Sequence, residues 1–131
     1  MNIKHELIKE VGNDGKIDIG DIDAVNSSIT YFGHGGIVTI KNGVHLRDTR
    51  LRVESPHSII VLEEGVRFTG SIFLKGTGPN HVFIGPGTTV GQANIICGES
   101  SSVSIGADCM LVLRFIKTST NKISLKIELS H

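Results

Sequence analysis

The chain has 131 residues and a mass of 14.1 kDa, enough for one domain with a real core and too little for two. Thirteen Lys and Arg balance thirteen Asp and Glu, so the basic excess of a nucleic-acid binder is missing. Glycine is abundant at 16 residues, while five Phe, one Tyr and no Trp leave Ile, Val and Leu to fill the core, which favours thin repeated layers.

At the N-terminus, Met1 to Val11 contains no apolar run of signal-peptide length, and no later stretch approaches the ~20 apolar residues of a membrane span. A cytoplasmic protein without a membrane span is the expectation. Ile3, Leu7 and Val11 recur every four residues, which predicts a short amphipathic helix within a cap over residues 1–16.

The next elements repeat. Ile17-Asp18-Ile19 opens a faint first copy, and Val38-Thr39-Ile40, Ile60-Val61-Leu62, Val82-Phe83-Ile84 and Val103-Ser104-Ile105 open four more. From Val38 onward the copies start 22, 22 and 21 residues apart. Six residues after each third position the alignment places Val25, Leu46, Phe68, Val90 and Leu111. A second apolar pair at spacing two follows in the copies: Ile29/Tyr31, Leu51/Val53, Ile72/Leu74 and Ile95/Cys97. Spacing two puts both members on one side of a strand. Gly43, Gly65 and Gly87 share a turn column where a positive φ needs no Cβ. Turns between copies are predicted at residues 54–58, 76–81 and 98–102.

Several residues between these strands invite a functional reading. His34 lies in a glycine-rich turn, but the Lys-Ser/Thr and helix of a phosphate loop are missing. His57 and His81 fall in later turns and with His34 could line one edge; solvated turn histidines are favoured over a metal site, and no metal is expected. Arg47, Arg50 and Arg52 read as an anion site or, preferably for Arg50 and Arg52, as the outward positions of a strand that points Leu51 and Val53 inward. Cys97 and Cys109 fall in apolar columns and read as small buried hydrophobes. Residues 123–131 alternate apolar and polar, which predicts a terminal amphipathic strand that caps the solenoid or pairs with another chain.

A strand period, a repeat near 22 residues and aligned aliphatic columns describe a parallel β-helix of about five coils over residues 17–122, within a single domain spanning 1–131. Leu62-Glu63-Glu64-Gly65-Val66-Arg67 and Ile84-Gly85-Pro86-Gly87-Thr88-Thr89 fit the hexapeptide repeat, and Ile105-Gly106-Ala107-Asp108-Cys109-Met110 fits with Cys109 in the small-residue slot. On these motifs the chain resembles the hexapeptide-repeat acyltransferases, in particular the branch that acetylates sugars in capsule and O-antigen synthesis. The resemblance covers roughly residues 17–120 and is most specific over 82–118.

The resemblance implies an all-β, single-stranded left-handed parallel β-helix. It implies a homotrimer, acetyl-coenzyme A as donor, and a sugar or sugar-nucleotide acceptor whose hydroxyl is deprotonated by a histidine. Asn94 and Ser119 are the candidate donor-binding positions; for Asn94 a place facing the donor groove or a neighbouring subunit is weighed against a plain solvated surface position, which is the default. The family's histidine position falls on Lys122 and its aspartate position on Thr120. The chain also ends nine residues after Lys122, where relatives add coils. A truncated or catalytically impaired acetyltransferase-like protein is therefore expected, and the alternative is a non-catalytic β-helix scaffold.

Overall fold

The computed structural model describes residues 8–11, 15–32, 34–112, 115–118 and 124–127. Its strands are β1 (Ile8–Val11), β2 (Lys16–Ile19), β3 (Asp23–Val25), β4 (Ser28–Tyr31), β5 (Ile37–Ile40), β6 (His45–Val53), β7 (Ile59–Leu62), β8 (Arg67–Lys75), β9 (His81–Ile84), β10 (Thr89–Gly98), β11 (Ser102–Ile105), β12 (Met110–Val112), β13 (Phe115–Thr118) and β14 (Ser124–Ile127). Every pairing is parallel, and each strand pairs with its equivalent one coil away. The fold is an all-β, left-handed β-helix-like solenoid. From β2 to β11 the chain completes four turns, and the fifth, from β11 to β14, runs through residues outside the described set.

The columns become ladders because a parallel register stacks equivalent residues. Val38, Ile60, Val82 and Val103 are all buried, as are Ile40, Leu62, Ile84 and Ile105 beside them. On the other sheet, Ile29, Leu51, Ile72 and Ile95 stack, with Tyr31, Val53, Leu74 and Cys97 alongside. Each fully buried aliphatic side chain contributes about 1.5–3 kcal/mol to the driving force. Gly43, Gly65 and Gly87 adopt φ of 78°, 74° and 73°, as their shared turn column requires. Asp108 continues the column at φ 53°.

Two expectations are corrected. Ile8–Val11 is a strand paired with β4, so this part of the cap extends the sheet and Val11 is not helical; Ile3 and Leu7 lie outside the described residues. The reason is that β4 offers a parallel edge whose hydrogen bonds a strand satisfies directly. Val25 does not join the ladder of Leu46: Ala24 pairs with Leu46, and Val25 pairs with Arg47 and is 51% exposed. The turn of Gly20 to Ile22 has one residue fewer than the turn of Lys41 to Val44, so everything after it advances by one place. A one-residue advance exchanges the two faces of a strand. Within the predicted tail, Ser124–Ile127 is a strand stacked on β11.

Tyr31 is the one bulky polar side chain in the described ladders. It is fully buried, its hydroxyl lies against the Gly36 backbone without closing a well-formed hydrogen bond, and burial pushes its phenol above the ordinary range while the Gly36 backbone opposes the shift. Tyr31→Phe is expected to leave stability unchanged or raise it by up to about 1 kcal/mol in urea unfolding, because an unsatisfied hydroxyl is removed with no partner left behind. A loss beyond that range would show that the hydroxyl is satisfied.

Candidate functional site

The hexapeptide segments form one corner of the solenoid. Residues 63–66, 85–88 and 106–109 stack there, with the Gly87 N–H donating to Glu64 O at 3.0 Å and the Asp108 N–H to Pro86 O at 2.9 Å. Val66, Thr88 and Cys109 fill the small-residue slot and are buried. Thr88 uses its hydroxyl twice, donating to Gly106 O at 2.6 Å and accepting from the Cys109 N–H at 3.1 Å.

Asn94 is exposed on β10, where its Oδ1 accepts from the Ser71 hydroxyl at 2.7 Å. In register it follows Ser71 and precedes Phe115 of β13. Ser119, Thr120 and Lys122 lie outside the described residues.

The histidines do not form one edge. The His57 N–H donates to the His34 carbonyl at 2.7 Å in adjacent turns, and both residues are exposed. His81 instead opens β9 on the sheet face, its ring edge-on to Phe83 at 6.0 Å. Among the described residues no three His, Cys, Asp or Glu side chains converge on a metal position.

Arg50 and Arg52 alternate outward against buried Leu51 and Val53. Arg50 Nη1 donates to Asn26 O at 2.7 Å, while Arg52 pairs with Glu54 and lies 5.5 Å and 5.8 Å from the ring centres of Phe32 and Phe73. Both guanidiniums are already engaged, which weakens the anion-site reading of this run.

Arg47 leads to a group that the sequence alignment hides. Its Nη2 donates to Asp23 Oδ2 at 2.7 Å and its Nη1 to Asp23 O at 3.1 Å and Leu46 O at 2.9 Å. The same Oδ2 lies 3.5 Å from His45 Nδ1. Asp23 and His45 are one coil apart and directly paired. An unshifted alignment puts Asp23 opposite Val44; only the short first turn brings it beside His45. The Arg47 hydrogen bond holds the Asp23 carboxyl below its ordinary range, with smaller help from His45. A depressed folded value means this pair stabilises fully above about pH 4 and fades as pH falls through the lowered value.

No protein-family model, curated protein or solved structure matches the chain.

Proposed function

We propose that this chain is an acetyltransferase-like protein of surface-polysaccharide synthesis, related to transfer of an acetyl group from acetyl-coenzyme A to a sugar hydroxyl. The stacked hexapeptide corner supports this reading: the three motifs on which the resemblance rests occupy equivalent turns with their small-residue slots buried. Trimer formation and a cytoplasmic location belong to the same proposal.

The proposed activity is impaired at the family's base position. An attacking hydroxyl must lose its proton, and imidazole suits that task near neutrality. Position 122 holds a lysine, and an unperturbed lysine, with a pKa of about 10.4, is a poor proton acceptor at neutral pH. Thr120 lacks the carboxylate that would orient a histidine there.

Isothermal calorimetry with acetyl-coenzyme A is the first test, followed by thiol release with acceptor sugars. Donor binding is expected, with turnover raised at least roughly tenfold by the double change Lys122→His and Thr120→Asp. Absence of binding at millimolar donor would sink the acetyltransferase reading.

The second reading is a non-catalytic assembly module. The observation favouring it is the outer face of the six-stranded sheet, where Ile37 and Phe83 are exposed and Ile59 and Val61 are half-buried. Contiguous apolar side chains on an outer face mark interaction surfaces. Under this reading Phe83→Lys lowers the sedimenting mass while the protein binds no acetyl-coenzyme A.

A further inference from the structure

We propose that His45 is the proton acceptor for acyl transfer by this chain, with Asp23 and Arg47 as its positioning residues. The inference rests on the acyl-transfer reading above and assigns a base at a place the family resemblance does not.

Four observations carry it. Asp23 and His45 share one outward ladder, so the rigid parallel register and not a mobile loop sets their approach. Arg47 grips Asp23 through both its carboxylate and its carbonyl, which fixes the carboxylate 3.5 Å from Nδ1. The imidazole side chain is 37% exposed, so a substrate can reach it. The carboxylate lies against Nδ1, so Nε2 is the nitrogen for the reacting hydroxyl. A base oriented by a third group through its other nitrogen is the recurring arrangement for activating a hydroxyl. Apo distances in such pairs are commonly longer than in the working complex.

The charged groups facing His45 are Asp23 from β3, Arg47 two places along its own strand, and Arg67 directly across on β8. Arg47 is committed to Asp23, whereas Arg67 makes no ion pair with a described residue. The exposed Arg67 guanidinium, one rung from the base, adds positive charge beside it.

In the step, the acceptor hydroxyl gives its proton to His45 Nε2 as its oxygen bonds to the thioester carbonyl carbon. The resulting tetrahedral oxyanion collapses and the C–S bond breaks. Coenzyme A leaves as the thiolate, and the imidazolium returns the proton to sulfur. Asp23 stays ionised and keeps Nδ1 protonated.

The test follows the full chain by two rates: thiol release from acetyl-coenzyme A with acceptor sugars, and cleavage of p-nitrophenyl acetate. His45→Gln is expected to lose roughly 100-fold in rate. Asp23→Asn should lose about tenfold with a shifted pH–rate profile, and Asp23→Glu should regain part of it. An unchanged rate in His45→Gln, or a wild-type chain inert to both donors, would each overturn the inference. Normal thiol release by His45→Gln would do so while leaving the acetyltransferase reading intact. Loss of p-nitrophenyl acetate cleavage in His45→Gln, by a chain that binds no acetyl-coenzyme A, would retain the base and refute that reading.

Discussion

Gly70→Ala is expected to cost about 4 kcal/mol or to prevent folding. Gly70 has φ 133°, a conformation that L side chains rarely adopt. A Cβ there would lie 1.9 Å from Ala93 O and 2.8 Å from Ala93 C and N. These are backbone atoms of the next coil, held by the sheet, and they have little room to withdraw.

The cause is a missing residue. Between their flanking strand segments, β6 and β10 round this corner with Asp48-Thr49 and Gln92-Ala93, whereas β8 uses Gly70 alone. Asp48 and Gln92 take φ of 51° and 52°, and Thr49 and Ala93 then point inward. One residue must do the work of two at Gly70, and only glycine reaches that geometry.

Gly43→Ala is the control. Its φ is 78°, but the nearest atoms to a Cβ lie at 3.5 Å, so about 1–2 kcal/mol for the left-handed backbone is the whole penalty. Urea unfolding of both variants decides the matter; similar midpoints would mean that the Gly70 corner relaxes. Inserting an Asn after Thr69 together with Gly70→Ala should restore stability by supplying the two-residue corner.

Asn80→Ala is expected to cost about 3 kcal/mol, the second large effect. The side chain is fully buried under the turn before β9. Its Nδ2 donates to Lys75 O at 2.8 Å and to Ser55 Oγ at 3.0 Å, and its Oδ1 accepts from the Ser101 N–H at 2.9 Å. Truncation removes the buried acceptor of the Ser101 N–H and the donor to the part-buried Lys75 O, which costs more than the bonds contribute. Asn80→Asp separates these roles. It keeps the acceptor for Ser101 but turns a carboxylate oxygen toward Lys75 O. Burial raises the carboxyl pKa, so this variant should gain stability as pH falls and the group becomes a donor again. Chemical unfolding at pH 8 and pH 5 reads the difference, and equal values at both would contradict it.

These two sites mark how far the sequence could be read. The ladders were visible because inward positions tolerate only apolar residues, so Val38, Ile60, Val82 and Val103 announce themselves at a fixed spacing. The turn column was visible for the same reason, since Gly43, Gly65 and Gly87 meet one backbone demand. Asn80 was not visible. It sits in a stretch of turn-forming residues that reads as solvated, and only coil stacking buries it between Ser55 and Ser101. Gly70 was hidden too, because a repeat length near 22 is kept by adding a residue to the following turn where the corner lost one.

The candidate site divides in the same way. The hexapeptide corner and the replacement of the expected His and Asp by Lys122 and Thr120 are properties of the sequence alone. The pairing of Asp23 with His45 is a property of the tertiary structure. Sequence alone determined the architecture, because a parallel solenoid reuses one set of inward demands in every coil and periodicity reports them. Which outward residues meet was decided only in three dimensions: a one-residue change in one turn leaves the period legible but exchanges the faces of the strand beyond it.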